Sequence, residues 1–406
     1  MKTINESVRR VCAIIIGVVF LLAGIFKLLD PVGAGLVVED YFKFFHVGFL
    51  LPAAKFTAVA LALLESVLGA ALICGVWKKT VAVSTSALIA FFTIVTLILA
   101  VFNPPMDCGC FGEVVHLTNF QTFLKNLVLL ATAAVAFLPY KDFSEAKKRK
   151  YVAFGIASVA LVAFMAYSLV SIPLVDYTSF TPGCELLAST DNPSEAFDDI
   201  ETRIIYEKNG REGAFPLDRL PDSTWTFVRT ETVKRHGPEV EDNVPMLSFT
   251  DEAGDYQDEL ATVGNVLVIS VYDPASMKEK AWKKVIETIQ NTQAAGVTPL
   301  LIMASSPNGL ARLENLGQSE KALLRQFTYF ADYKTIISLN RSNGGRTWFR
   351  DGELVKKHPS RVTLSTETIA KLANADPTET MLRSSTRDRL RFDTFLLFVF
   401  SVVLLL

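Results

Sequence analysis

Apolar residues gather into five long blocks in the first part of the chain: Val11–Leu29, Ala53–Trp77, Thr80–Phe102, Phe120–Leu138 and Tyr151–Ile172. A helix needs about 20 mostly apolar residues to cross a hydrocarbon core, so each block predicts a spanning helix. A sixth stretch, Thr394–Leu406, is apolar for 13 residues. At 1.5 Å per residue it reaches about 20 Å, which predicts either a span cut short or a shallow anchor. The first block is longer than the apolar core of a secretion signal, lacks a small-x-small cleavage site and is followed by more spans, so it predicts a retained helix.

Beyond Pro173 the pattern changes to short runs broken by turn residues, as far as about Arg391. Residues 176–243 hold β-like runs, TRIIYEKNG at 202–210 and TWTFVRTETV at 224–233, between Pro, Asp and Gly turn signals. The order β-α-β-α-β-β follows. VLVISVYD at 266–273 predicts a buried strand, and Pro274 opens a helix over Lys278–Gln293. Gly296 ends that helix before the strand VTPLLIMA at 297–304. A helical stretch at 319–330 leads to TIISLN at 335–340, which predicts a further strand, and TWFRDGELVKKH at 347–358 predicts a hairpin turning on Asp351-Gly352.

This order resembles a thioredoxin-like fold of the TlpA/peroxiredoxin-related branch, with VPMLSFTDEAGDYQDEL at 244–260 as its lead-in strand, turn and short helix. The chain departs from that branch at its chemistry. Asp273-Pro274-Ala275-Ser276-Met277 stands where a thioredoxin carries Cys-x-x-Cys, and Asn343-Gly344-Gly345-Arg346 where it carries its cis-proline. Without thiols the domain cannot exchange disulfides by that route, and the expectation is a binding or docking domain. The whole then reads as a polytopic α-helical membrane protein, a four-helix bundle plus a fifth span, with an extramembrane α/β thioredoxin-like domain lacking CxxC. Its divisions are a membrane domain at 1–140, a basic loop and fifth span at 141–172, a β-rich extension at 173–243, the thioredoxin-like domain at 244–385 and a C-terminal apolar helix at 386–406.

Composition supports the membrane reading. Half of the 406 residues are hydrophobic, 20% are charged against roughly 25% in soluble proteins, and mean hydropathy is +0.32. A disordered tail, a collagen and a disulfide-dense secreted module are excluded. Lys+Arg 40 against Asp+Glu 42 gives a net charge of −2, which draws no nucleic acid. Short-loop basic residues set the orientation: Arg9 and Arg10, Lys78 and Lys79, and Lys141, Lys147, Lys148, Arg149 and Lys150 belong in the cytoplasm. The loops at Asp30–Pro52 and Asn103–Thr118 and everything after span five then face outward. Arg383, Arg387, Arg389 and Arg391 lie on that outward side against the rule, which long translocated domains obey poorly. The expected location is a bacterial inner membrane, with lipid around the spans and the large domain in the periplasm.

The five cysteines divide by place. Cys12 and Cys74 fall at cytoplasmic span ends, where a buried Cys is ordinarily a small inert hydrophobe. Cys108 and Cys110 sit in Asp-Cys-Gly-Cys-Phe-Gly, in an outward loop directly after Pro104-Pro105. A Cys-x-Cys ring is small and strained, and strained disulfides are more readily reduced. The pair reads as redox-active, as a static loop staple, or as half of a metal site needing two more ligands, for which His46 and His116 are the outward candidates. Cys184, alone in Thr-Pro-Gly-Cys, is a resolving thiol, a partner-bonding thiol or a packed one. Inside the spans, Glu65 sits where a charged carboxylate costs at least ~2.5 kcal/mol, so it is paired, protonated or turned to a cavity. Lys27, Lys125 and Asn126 approach outer span ends. Snorkelling lysines and an interhelical Asn126 hydrogen bond explain them structurally; alternatively Glu65, Lys125 and Asn126 line a pocket below the cysteine loop.

AGIFKLLDP at 23–31, LLESVLGAALICGVWKK at 63–79, and DCGCFG followed by FLKNLVLLATA within 107–133 resemble the MauE/DoxX superfamily of four-helix membrane proteins, on the MauE side. The resemblance implies a membrane component of periplasmic thiol–disulfide chemistry, quinone-coupled like other small four-helix disulfide oxidoreductases, with Cys108 and Cys110 as the redox pair. On that reading electrons pass from a periplasmic thiol protein through the pair to quinone. The competing reading is a non-enzymatic scaffold of an envelope complex. A small-solute transporter ranks last, since the chain shows neither an inverted repeat nor paired Gly/Pro-broken half-helices.

Overall fold

The computed structural model describes residues 6–104, 106, 109–115, 117–138, 146–186, 200–208, 211–216, 226–234, 247–304 and 316–405. Cys108, Asp107 and His116 lie outside the described residues. The apolar blocks fold as helices α1 (Glu6–Leu29), α3 (Ala54–Cys74), α4 (Lys78–Phe102), α5 (Asn119–Phe137) and α6 (Lys148–Val170). Among the described residues these five helices, α3 together with its lead-in turn from Gly48, are long and apolar enough to cross a membrane. The protein is a multi-pass membrane protein.

Between α1 and α3 the expected outward loop contains a 14-residue helix, α2 (Pro31–Phe44). Asp30 caps it, accepting from the Gly33 amide at 2.9 Å, and Pro31 occupies the first helical position, where a missing N–H costs nothing. The sequence reads this stretch as a loop; in the structure it is helical.

One end of the bundle gathers the basic segments. Arg9 donates to the Ala136 carbonyl at 3.1 Å and Arg10 to the Leu72 carbonyl at 2.8 Å and to that of Ile73. Guanidinium groups there satisfy the orphan carbonyls of the C-termini of α3 and α5. The opposite end carries α2, the cysteine loop and the globular part.

That part begins with an antiparallel sheet in the order β3 (Arg211–Pro216), β2 (Ile200–Lys208), β4 (Thr226–Lys234). A five-stranded mixed sheet follows: β5 (Asn265–Val271), β6 (Thr298–Met303), β7 (Thr328–Phe330), β8 (Gly345–Arg350) and β9 (Glu353–His358), ordered β7-β6-β5-β8-β9. β5 runs parallel to β6 and antiparallel to β8. Central β5 is covered on both faces, which explains its unbroken apolar run. Ile269 and Val271 pack with Trp282, Val285 and Ile289 of α7 (Glu279–Ala294). Val266 and Val268 pack on the other side with Phe249, Phe349, Ile336 and Leu339. Asp351 and Gly352, at φ 48° and 82°, form the β8–β9 turn.

Two expectations need correction. TIISLN is not a strand but lies in α9 (Tyr333–Leu339). Its β-branched run suggested a strand, but Asp332 caps the Lys334 and Thr335 amides at 2.8 and 3.2 Å and starts a helix. The strand in that region is instead β7, after α8 (Gln318–Gln326). The final apolar stretch is not a separate 13-residue element. It forms the second half of a 29-residue helix, α11 (Pro377–Leu405), that follows α10 (Thr366–Asn374) and lies along the bundle. The Phe395 ring stacks on Phe164 of α6 at 4.3 Å, and the Leu405 carbonyl accepts from Arg149 at 3.1 Å, at the basic end.

Candidate functional site

The end of the bundle opposite the basic segments holds a cavity of about 460 Å³. Phe20 and Ala23 of α1, Val37 and Tyr41 of α2, and Phe92 of α4 give it an apolar and aromatic wall. Phe45 and Phe91 line it and are also partly exposed. Gly109 and Cys110 border it, as do Lys27, Glu65, Lys125 and Asn126.

The polar groups are held individually. Lys27 Nζ lies 2.8 and 2.7 Å from the two carboxylate oxygens of Glu65. The Glu65 side chain is 4% exposed and that of Lys27 16%, so the attraction works in a low dielectric where an unpaired charge would be costly. Of the three expectations for Glu65, pairing and facing a cavity both describe its position, and its partner is Lys27. Asn126 donates to Thr96 Oγ1 at 3.1 Å and to the Phe92 carbonyl at 3.4 Å, tying α5 to α4. Lys125 Nζ stands 4.9 Å over the Phe111 ring, within cation–π range.

The cysteine loop borders the cavity at this end. Its described part is a short strand, β1 (Cys110–Glu113), packed from several directions. Gly109 and Gly112 take positive φ, 56° and 61°. A Cβ on Gly109 would meet the Val37 side chain at 2.5 Å, so only glycine lets the loop lie this close to α2.

Glu113 connects the loop to the globular part. Arg341, just after α9, donates from Nη2 to Glu113 Oε1 at 2.9 Å and from Nε to Asp30 Oδ2 at 2.8 Å. Its side chain is 3% exposed. Burial works against the guanidinium's charge, but Asp30, Glu113 and Asp176 outweigh it and raise its pKa. Further ties join the same parts: Lys334 to Asp40 at 3.5 Å, Lys357 to Asp176 at 2.6 Å and Arg361 to the Ser171 hydroxyl at 3.3 Å. Sequence reasoning missed Arg341, Asp30 and Glu113. Asp30-Pro31 carries a legible cap signal; nothing local marks Arg341.

The remaining cysteines are packed. Cys74 is buried with Sγ 3.9 Å from the Val403 carbonyl, and Cys12 packs against the bundle core. Cys184 packs beside the sheet core, and burial pushes its thiol up to about 11, so it stays protonated and weakly nucleophilic at neutral pH. At the turn after β5, Asp273 caps Ser276 at 3.2 Å, and Asn343 donates to the Asp273 carbonyl at 2.7 Å, closing the turn. Among the described residues no group of three or more His, Cys, Asp or Glu side chains is placed to hold a metal ion.

Residues 5–139, about a third of the chain, match the family model described as Methylamine utilisation protein MauE. The membrane bundle is similar to MauE. Residues 200–235, which contain β2, β3 and β4, match a model described as a domain of unknown function, DUF8463. No curated protein and no solved structure matches the chain.

Proposed function

We propose that the bundle carries out thiol–disulfide electron transfer, with Cys108 and Cys110 as the exchanging pair and a lipid-soluble quinone as the membrane acceptor. A client dithiol reduces the Cys108–Cys110 disulfide and leaves as a disulfide. The resulting dithiol then passes two electrons and two protons to the quinone, giving quinol and restoring the bond. The observation that carries this reading is the cavity: an apolar, aromatic chamber with Cys110 at its border and the Lys27–Glu65 pair in its wall. A flat aromatic headgroup fits such a chamber, and Lys27 and Lys125 offer donors to its carbonyl oxygens. On this reading the basic end faces the cytoplasm and the globular part faces the periplasm of a bacterial inner membrane.

The strand order β6-β5-β8-β9, with β5 parallel to β6 and antiparallel to β8 and β9 antiparallel to β8, supports a thioredoxin-like ancestry for the globular domain. Its closed, thiol-free turn gives it a docking rather than an exchanging role. The test is thiol trapping of Cys108 and Cys110 in intact cells with and without quinone. A mixed population that shifts to reduced on quinone depletion is expected, and Glu65→Ala should produce the same shift. A pair locked in one state under both conditions overturns electron transfer and leaves a non-enzymatic scaffold as the better reading.

A further inference from the structure

We infer that Arg341 is a positioning residue: it acts through Glu113 and Asp30 to hold the cysteine loop shut over the cavity, making the thiol-free domain an intramolecular clasp. The inference rests on the reading of Cys110 as an exchanging thiol, but its geometry stands independently. Glu113 is three residues from Cys110, at the far end of the same short strand. Arg341 holds it with one arm of its fork and holds Asp30, the cap of α2, with the other. A single buried side chain therefore fixes the loop to the helix that roofs the cavity, and a bidentate guanidinium fixes direction as well as distance.

The surroundings favour a shut loop. Gly33 sits where a Cβ would lie 2.9 Å from Glu113 Oε1 and 3.0 Å from Asp30 Cγ, so the backbone of α2 leaves room for both carboxylates. Gly112 rests on the Phe26 carbonyl of α1, where an added Cβ would lie at 3.4 Å. Phe111 lies under Lys125. The described part of the loop thus touches α1, α2 and α5, and the clasp ties it to the globular domain as well. Held this way, Cys110 meets the cavity, and a client reaches it only when the clasp opens. The domain controls access to a thiol without having one.

The experiment uses the reduced full-length protein in lipid nanodiscs, treated with a hydrophilic maleimide, with labelled cysteines mapped by mass spectrometry. Labelling of a protected thiol follows the population of the open state. Arg341→Met is expected to raise the Cys110 rate by about tenfold or more, with Cys184 still slow, because the domain stays folded. Arg341→Lys, which keeps the charge and one contact, should restore most of the protection, a rescue that mere space-filling would not give. An unchanged Cys110 rate in Arg341→Met with Cys184 slow overturns the clasp. Should Cys184 also label fast, the domain has unfolded, and Glu113→Gln decides instead: faster Cys110 labelling supports the clasp and an unchanged rate overturns it. None of these rates depends on whether the pair cycles in cells, so failure of the redox reading leaves a separate signature in thiol trapping.

Discussion

At the scale of single residues, the membrane bundle and the globular domain handle buried charge differently. In the bundle Glu65 is matched by Lys27, and removing one partner of such a pair leaves an uncompensated charge costing about 3–5 kcal/mol. Glu65→Leu should therefore lower the melting temperature of the detergent-solubilised protein sharply, and Lys27→Met with Glu65→Leu should recover most of the loss. If the double variant is as unstable as the single one, the pair is not what fixes α1 against α3. In the globular domain His358 has no such match. Its Nε2 is buried without a hydrogen-bond partner among the described residues, and burial, with Lys356, Arg346 and Arg387 adding to it, drops its pKa from 6.5 to about 3. The folded state therefore holds the imidazole neutral, whereas the unfolded chain protonates it below about pH 6.5. This contribution to stability is complete above pH 6.5 and is lost as pH falls from 6.5 toward 3, by up to about 1.4 kcal/mol per unit. The melting temperature should fall between pH 7 and pH 5 in the wild type and fall less in His358→Leu. Parallel curves for the two proteins would contradict the assignment.

Individual elements show what sequence pattern can and cannot reveal. The five spanning helices are legible because a bilayer imposes a length and an apolar run that few soluble elements imitate. Buried β5 and the Asp351-Gly352 hairpin are legible for similarly local reasons. α9 was misread because Thr335, Ile336 and Ile337 favour strands, while the deciding vote is a capping side chain at Asp332. The cysteine loop was legible as chemistry from Cys108 and Cys110, and the pocket residues Glu65, Lys125 and Asn126 were legible as polar groups in apolar helices. Which neighbours hold them was not legible. Lys27 and Glu65 are 38 positions apart, and Arg341 and Asp30 are 311 apart, separations at which a single sequence carries no pairing signal. The loop glycines give an element-scale test. Gly109→Ala meets Val37 at 2.5 Å, whereas Gly112→Ala meets only ordinary contact at 3.4 Å. Both incur the strain of a positive φ, of order 1–2 kcal/mol. Gly109→Ala should therefore destabilise the protein more and expose Cys110 to maleimide, while Gly112→Ala leaves Cys110 protected. Equal behaviour of the two would mean that α2 does not support the loop.

The molecule as a whole fastens one domain to one bundle by chemically distinct means. Arg341 joins them through buried ion pairs, Lys357 and Arg361 through the segment that follows the C-terminus of α6, and α11 through apolar packing along the bundle. Inside a bilayer the last of these gains little from excluding water, because lipid tails are as apolar as the side chains, so it rests on close packing. The Phe164–Phe395 stack and buried Phe392, Val399, Val402 and Val403 provide that packing. At about 1.5 Å per residue, the 29 residues of α11 reach about 43 Å, enough to run from the domain to Arg149 at the basic end. Deleting residues 392–406 leaves the five long spans and the Arg341 clasp in place. The shortened protein should insert and retain slow Cys110 labelling, within about threefold of the wild type, while its melting temperature in detergent drops by several degrees. Fast Cys110 labelling after that deletion, with Cys184 still protected, would assign closure of the loop to the long helix. Slow labelling with a lowered melting temperature separates the two roles: α11 secures the domain to the bundle, and Arg341 sets what that attachment does to the cysteine loop.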